Sequence, residues 1–572
     1  MKDRNTDAIE VPEEKSGALL KVLVALSANE HLYKTPNTQL CTLQTNTNAM
    51  KQWLLIILVI PFWAIAQRRV DIIINNARIV DGTGNPWYRG SIAIKKGKIV
   101  KVGSTGSMKA KTTIDANNEI VAPGFVDVHT HIEGDEVKNP TADNFIYDGV
   151  TTVVTGNCGE SKVAIADYFQ LLGATNLAVN VATLIGHNDV RQSVMGTANR
   201  APTPQEQAQM EQLVALAMQQ GAVGLSTGLI YIPGTYAATA EIVDLAKQAA
   251  RYNGVYATHM RTEGDSVLVA IAEALQIGRE ANIPVEISHF KVSGQQNWGR
   301  SKETIAAIEA ARKEGVEVTI DQYPYTASST SLSTLLPETI LADGSDSIKA
   351  RLQRPHVKAF VISEMLRSLQ RRQLNHFSYA VVANFEADTT MNGKSIEQVN
   401  LVKGHAHTAA AEAETVIEMM LQGGAGMVFH GMSEEDVERI MKYPFNMFAS
   451  DASIRVYRQG VPHPRGYGTN ARVLAKYVRE RNLMPLEEAV RRMTSLPAQK
   501  FNLQNRGLLL EGKAADIVIF NEQTVQDNST FEDPHQYSTG FSYVLVNGEV
   551  IVEKGKHRGI RNGQLLYGPG KL

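Results

Sequence analysis

Two histidines follow a short apolar run at a spacing that suits a metal site. The stretch GFVDVHTHIEGD spans residues 124–135 and places His129 and His131 two positions apart. Residues two apart on a β-strand point to the same face, so both imidazoles would face the same side. An imidazole pair is unusual packing for an apolar interior, but it binds a transition-metal ion well. A metal site here needs further ligands from elsewhere in the chain.

Other metal-ligating or proton-carrying side chains recur at the ends of apolar runs. Between these runs lie helix-like segments such as residues 238–254 and 302–315, with apolar residues near three-to-four spacing and a glycine after the last turn. Eight such strand and helix units predict a (β/α)8 barrel, in which active-site groups lie at the C-terminal ends of the strands. The candidates at those ends are His129, His131, Cys158, His187, His259, His289, Asp321 and Asp451, whereas the fourth strand ends in Ser226 and Thr227 and offers no such group.

The two ends of the chain have a different pattern, of short strands and tight turns. Asn547 and Gly548, between two apolar runs, are typical of a hairpin turn. The fold class is therefore α/β, with a TIM-like barrel and a small β-sandwich domain that both chain ends build. We predict the small domain from residues 67–121 and 506–572, the barrel from residues 122–505, and an insertion at about 341–422 before the last barrel strand.

Residues 50–66, MKQWLLIILVIPFWAIA, have the pattern of a secretory signal peptide. A basic residue, Lys51, precedes an apolar run that ends in small residues. This run is short for a membrane span, which needs about 20 apolar residues. We predict cleavage after Ala66 and a periplasmic or secreted protein, with residues 1–49 a doubtful leader outside the mature protein. A buried strand or an uncleaved anchor is the alternative.

The composition of the chain bears on which partners it could bind and on the state of its cysteines. The net charge is -2 and charged residues make up 20%, which gives no reason to expect a nucleic-acid partner. After signal cleavage, no stable membrane association is expected. The two cysteines are Cys41, in the doubtful leader, and Cys158. A lone thiol in an exported protein favours burial or metal ligation at Cys158.

Several motifs together resemble the amidohydrolase superfamily and, more narrowly, its N-acyl-D-amino-acid deacylase (D-aminoacylase) branch. They are GFVDVHTH, GNCG, THMR, ISHFK, ASD and GKAADIVIF, and the resemblance covers roughly residues 71–556. Many superfamily members use a carboxylated lysine on the fourth barrel strand, but that strand here reads GAVGLSTGLIY and has none. Cys158 in GNCG resembles the substitute that this branch uses. The resemblance implies a zinc-dependent hydrolase that converts an N-acyl-D-amino acid to a carboxylate and a free D-amino acid.

The resemblance also implies a role for each candidate residue. Cys158, His259 and His289 would hold a tightly bound zinc ion. His129 and His131 would line a second, weaker metal position, with Asp451 close to both. Asp451 would also be the general base that activates water and then the acid that protonates the departing amine. The implied substrate-binding residues are Tyr231, Lys291, Tyr325, Ser331 and Arg465, with Tyr323 and Arg455 as competitors for Tyr325 and Arg465.

Three alternative functions stay open. A dipeptidase that releases a C-terminal D-amino acid would use the same residues on a small peptide. A cyclic-amide hydrolase of the dihydroorotase or hydantoinase type is disfavoured by the missing fourth-strand lysine. A barrel without metal, acting as a binding scaffold, is disfavoured because none of the six predicted ligands is missing from the sequence.

Overall fold

Strands from both ends of the chain form one nine-stranded sheet. The computed structural model describes residues 69–572; the predicted leader and signal peptide lie outside this range. Strands Ile120–Pro123 and Ile517–Phe520 pair antiparallel and so join the two ends. The other strands of this sheet are Arg69–Ile79, Tyr88–Lys95, Lys98–Gly103, Lys109–Asp115, Phe541–Val546, Glu549–Glu553 and Lys556–His557.

A tight turn at Asn547 and Gly548 explains one of these strand pairs. The two residues have φ angles of 49° and 80°, which a two-residue hairpin turn requires and which Asn and Gly tolerate. They connect Phe541–Val546 to its antiparallel neighbour Glu549–Glu553. Apolar side chains of this sheet, among them Ile74, Ile94, Val121, Ile517 and Leu545, pack into one buried cluster.

Parallel strands form the barrel that carries the candidate residues. In chain order they are Phe125–Asp127, Val150–Thr155, Asn180–Thr183 with Ile185–Gly186, Gly224–Gly228, Val255–His259, Val285–Ile287, Val318–Gln322 and Asn446–Phe448. Each described neighbouring pair is parallel. A parallel bridge between Thr130 and Ala452 joins the segments that follow the first and last strands. The barrel is therefore closed, and the C-terminal ends of all its strands lie at the same mouth.

Helices cover the outside of the barrel and alternate with its strands. Helix Pro204–Gln220 shows how the sequence sets their ends: Thr203 and Glu206 form a capping box, and Gly221 follows the last turn with a φ of 112°. None of the helices within residues 69–572 is both long and apolar enough to cross a membrane. The helices of the barrel segments are Asp143–Ile146, Ile165–Thr175, His187–Met195, Pro204–Gln220, Thr239–Ala250, Val267–Ala281, Ser301–Lys313, Glu434–Met441, Arg465–Arg472, the π-helix Val473–Glu480, Leu486–Met493 and Ser495–Lys500.

A segment with its own sheet and core separates the seventh and eighth barrel strands. Strand Gly426–His430 pairs antiparallel with both Ala327–Ser331 and Ala380–Asn384. Val361, Met365 and Val416 belong to an apolar cluster distinct from that of the barrel. The predicted insertion, residues 341–422, lies inside this longer segment. Its helices are Gly344–Leu352, Pro355–Arg371, Ile396–Val402 and Ala409–Leu421.

Candidate active site

Side chains from four barrel segments converge around Cys158 at the mouth. The Sγ of Cys158 lies 3.3 Å from His129 Nε2 and 3.7 Å from both His259 Nδ1 and His289 Nε2. The last two nitrogens are 2.8 Å apart. These residues span more than a hundred positions of sequence, and only closure of the barrel brings them together. A thiol and three imidazoles within this distance form a compact set of nitrogen and sulfur donors.

Asp451 links this group to His131. Its Oδ1 lies 3.3 Å from His131 Nε2 and 3.7 Å from His129 Nε2. The backbone N–H of Asp451 donates to the carbonyl of His129 at 2.9 Å, and that of His131 donates to Ala452 at 2.9 Å. The structure therefore brings together all six residues that the sequence predicts as metal ligands. They form two adjoining donor groups, with Cys158 central to one and Asp451 central to the other.

Three of these residues have a backbone conformation that residues other than glycine rarely adopt. The φ angles are 54° at Cys158, 37° at His289 and 50° at Asp451. For a residue other than glycine, such a conformation costs on the order of 1–3 kcal/mol and persists only where the surroundings impose it. In each case the residue lies just after a barrel strand. The turn redirects the side chain from the strand toward the centre of the mouth.

Asp321 fixes the orientation of two imidazoles from behind. Its Oδ2 accepts from His129 Nδ1 at 3.1 Å, and its Oδ1 accepts from the backbone N–H of His289 at 2.8 Å. Because a carboxylate only accepts, His129 Nδ1 donates to Asp321, and Nε2 is the nitrogen that faces Cys158. Burial opposes the charge on Asp321, but His129 outweighs it and lowers the pKa of the carboxyl group.

Glu263 is a site residue that sequence reasoning missed. Its Oε1 lies 2.6 Å from Lys291 Nζ and 3.0 Å from His289 Nδ1. The only sequence signal is its position four residues after His259, in a loop that the barrel pattern does not place. The predicted substrate residue Lys291 therefore reaches the site, but Glu263 neutralises it. His187, whose role the sequence left open, pairs instead with Glu241 at 3.0 Å.

The protonation states of His259, His289 and Cys158 suit the binding of zinc. Burial lowers the pKa of His259 and of His289 well below the usual value, so both rings are neutral near pH 7 and keep a free lone pair. Burial raises the pKa of the Cys158 thiol well above its ordinary value, and Asp451 adds to this effect. A thiolate here thus needs additional positive charge, which a bound cation supplies. Two neutral imidazoles and a thiolate are ligands that zinc favours.

A group of buried donors lies beside Asp451. Arg465 Nη1 is 2.8 Å from Asp451 Oδ2, and the Arg465 guanidinium lies 4.6 Å from the ring centre of Tyr323. Within residues 69–572, neither Arg465 Nε nor the Tyr323 hydroxyl has a hydrogen-bond partner, although both atoms are buried. Arg455 Nε is also buried and also lacks a hydrogen-bond partner among the described residues. These three residues also line the cavity at the barrel mouth, and two of them are arginines, so their buried donors without partners suit an anion.

The structure places Tyr323, and not the predicted Tyr325, at the cavity. The backbone N–H of Tyr325 donates to the Tyr323 carbonyl at 3.0 Å, so the chain turns sharply after strand Val318–Gln322. This turn ends the strand-like alternation, and Tyr325 packs 5.2 Å from the His463 ring and 4.6 Å from the Arg472 guanidinium. The prediction that Tyr325 binds the substrate is therefore wrong, and its ring packs outside the cavity.

The remaining predicted substrate residues line a cavity of about 780 Å³ at the mouth. The Tyr231 ring centre is 4.9 Å from that of His259, and the Tyr231 hydroxyl is 3.0 Å from Thr330 Oγ1. Ser331 lines the cavity, but its hydroxyl accepts from the Ser333 backbone and so caps a short helix. The segment between the seventh and eighth barrel strands supplies another wall, including Tyr379 and Phe429. A small organic substrate fits a cavity of this size.

The sequence is similar to those of several known proteins. Residues 112–552 match the profile described as the amidohydrolase family. The chain is 34% identical to a D-aminoacylase of Alcaligenes xylosoxydans xylosoxydans over 519 residues, which cover 87% of this chain and 97% of the relative. It is also 34% identical to an N-acyl-D-glutamate deacylase of the same organism, over 84% of this chain and 93% of that protein.

A solved structure extends the likeness to three dimensions. It is the N-acyl-D-glutamate deacylase of Bordetella bronchiseptica, complexed with zinc and a phosphonate inhibitor that mimics the tetrahedral intermediate of its reaction. The TM-score is 0.74 at 34% identity, and the match covers 87% of this chain and all of the other. The likeness therefore extends through the barrel, the β-sheet of the chain ends and the insertion.

Proposed function

The chain belongs to the amidohydrolase family, and we propose that it hydrolyses the amide bond of N-acyl-D-amino acids with the help of zinc. The products would be a carboxylate and a free D-amino acid. The observation that carries the proposal is the convergence of Cys158, His259 and His289 beside Asp451. A zinc ion bound by these donors would polarise the amide carbonyl and lower the pKa of water toward about 7.

Asp451 is positioned to move the proton. Burial opposes its ionisation, but Arg465, His129 and the hydrogen bond with His131 outweigh burial and hold the pKa of the carboxyl group well below its usual range. Asp451 is therefore an ionised base near pH 7. It takes a proton from the attacking water and then gives it to the departing amide nitrogen, which cannot leave as an anion.

The unpaired donors beside Asp451 would bind the substrate carboxylate. An amino-acid carboxylate has the charge and size to accept from Arg465 Nε and the Tyr323 hydroxyl, which lack partners among the described residues. The carboxylate would restore the hydrogen bonds that burial otherwise costs these donors. It would also fix the scissile amide beside Asp451, because Arg465 contacts that residue as well.

Replacement of Tyr323 by phenylalanine tests this assignment. A hydrogen bond to a charged group contributes about 1.5–3 kcal/mol, so Tyr323→Phe is expected to raise KM for an N-acyl-D-amino acid about 10- to 100-fold. Tyr325→Phe is the matched control, because that ring packs outside the cavity and should leave KM unchanged. Steady-state kinetics of the two variants would decide, and equal effects would remove Tyr323 from the carboxylate site.

The preference for the D-enantiomer rests on the similarity to the two deacylases and the D-aminoacylase. Hydrolysis of N-acetyl-D- and N-acetyl-L-amino acids, a dipeptide with a C-terminal D-residue and a cyclic amide should be compared at equal concentration. We expect the N-acetyl-D-amino acids to react fastest and their L-enantiomers to be poor substrates. Turnover of the cyclic amide alone would overturn the proposal.

The dipeptidase alternative keeps one specific observation in its favour. The cavity continues from the barrel mouth to the insertion, where Ser368, Arg371 and Tyr379 line it. This space would accept an acyl group as large as an amino acid. A dipeptide hydrolysed faster than every N-acetyl-D-amino acid would therefore make peptides the preferred substrates of the same site.

We also propose that the protein is exported, on the sequence pattern of residues 50–66. A cleaved signal peptide would leave Gln67 as the first residue of the mature protein. Mass spectrometry of the N-terminus of protein isolated from its native cells would test this. A chain that retains residues 50–66 would contradict it.

A further inference from the structure

A second group of potential ligands lies in the insertion. The Nδ1 of His376 is 2.6 Å from Glu412 Oε1 and 3.8 Å from Glu397 Oε1, and His407 Nε2 is 2.7 Å from the same Glu397 oxygen. All four atoms lie within 4.8 Å of one another. We propose that these residues, His376, Glu397, His407 and Glu412, bind a structural zinc ion separate from the catalytic site.

The spacing of these atoms suits a tetrahedral site. Zinc binds imidazole nitrogen and carboxylate oxygen at about 2.0–2.2 Å, which places neighbouring ligand atoms of a tetrahedron about 3.4 Å apart. The observed separations of 2.6, 2.7 and 3.8 Å fall on both sides of this value. Side-chain movements of less than about 1 Å would therefore place all four atoms around one ion.

The two carboxylates in this group also need a balancing positive charge. The side chain of Glu412 is fully buried and that of Glu397 is 22% exposed. Among residues 69–572, the ion-pair partners of these two carboxylates are the two histidines, with no lysine or arginine. If both imidazoles carried the balancing charge, two cations would be stacked with ring centres 4.5 Å apart. One divalent ion with neutral imidazoles balances both carboxylates without that repulsion.

The local structure holds the ligands as metal sites usually do. Glu412 Oε2 accepts from the backbone N–H of Phe377 at 2.7 Å, which orients Oε1 toward His376. Glu397 and Glu412 each lie in the first turn of a helix, Ile396–Val402 and Ala409–Leu421. An ion here would tie these two helices to the turn before strand Ala380–Asn384. That turn carries Tyr379, which lines the substrate cavity.

Zinc content of the purified holoenzyme tests the proposal. The side chain of His407 is 53% exposed, so His407→Gln should fold normally and lose one ligand. His405→Gln is the matched control, because His405 lies in the same loop but its Nδ1 contacts Thr415 Oγ1 at 3.2 Å. We expect elemental analysis, after dialysis against a weak chelator, to find one zinc equivalent fewer per chain in His407→Gln than in wild type or His405→Gln. The kcat of His407→Gln should stay within about twofold of wild type.

The kcat of His407→Gln shows whether the lost zinc ion came from the insertion or from the catalytic site. An unchanged kcat with one zinc lost assigns the lost ion to the insertion. Equal zinc content in wild type, His407→Gln and a second variant, His376→Gln, would overturn the proposal. An equal loss of zinc in His405→Gln would overturn it too, because that ring is not among the four ligands.

Discussion

The Cys158→Ala variant is expected to lose its tightly bound zinc and at least about 10³-fold in kcat/KM, equivalent to about 4 kcal/mol of transition-state stabilisation. In the proposed site, the Cys158 thiolate is the anionic donor beside His259 and His289, and alanine would leave two neutral imidazoles to hold the ion. Zinc content after dialysis and steady-state kinetics with an N-acetyl-D-amino acid are the measurements. Because burial raises the pKa of the free thiol, zinc should also bind less tightly as the pH falls.

A conservative variant separates ligation from packing in this experiment. Cys158→Asp keeps an anionic donor on a short side chain and is expected to retain more zinc than Cys158→Ala. If Cys158 only filled space, the two variants would lose activity together without losing zinc. Wild-type zinc content and rate in Cys158→Ala would remove the thiol from the site.

The Asp451→Asn variant is expected to lose about 10³-fold in kcat while keeping the tightly bound zinc. Asparagine cannot accept a proton from water, and general acid–base catalysis contributes typically 10²- to 10⁴-fold. Cys158, His259 and His289 remain in place to hold the ion, and Arg465 remains to bind the substrate carboxylate. KM should therefore change much less than kcat.

Asp265→Asn is the control for this second variant. Asp265 lines the same cavity, but its carboxylate accepts hydrogen bonds from Asn297 and Gln296 instead of contacting the ligands. We expect Asp265→Asn to keep kcat near the wild-type value. A loss of zinc in Asp451→Asn as large as in Cys158→Ala would assign Asp451 to zinc retention and not to proton transfer.

Much of the barrel and the positions of the six candidate ligands could be predicted because both follow from local patterns. Parallel strands buried on both faces read as short apolar runs, and the residue after each run is placed at the mouth by the closure of the barrel. His259 and His289 are examples, since each needs only its strand to be identified. The absence of a fourth-strand lysine, together with the position of Cys158 at a strand end, favours Cys158 as the substitute ligand.

The parts that were not predicted depend on turns and long-range contacts. Tyr323 and Tyr325 differ only in how the chain turns after Gln322, and one backbone hydrogen bond between them decides which reaches the cavity. Glu263 lies in a loop, and its contacts with Lys291 and His289 come from another barrel segment. Strand Ala327–Ser331, ASSTS, lies in the segment between the seventh and eighth barrel strands, is short and polar, and is paired with residues 95 to 103 positions away.

Anomalous diffraction at the zinc absorption edge tests the central claim most directly. Crystals of the holoenzyme should give a strong peak at the barrel mouth, at about 2.3 Å from Cys158 Sγ and about 2.0–2.1 Å from His259 Nδ1 and His289 Nε2. Zinc at the mouth with the Cys158 thiol beyond bonding distance, or no zinc there in an active enzyme, would contradict the account.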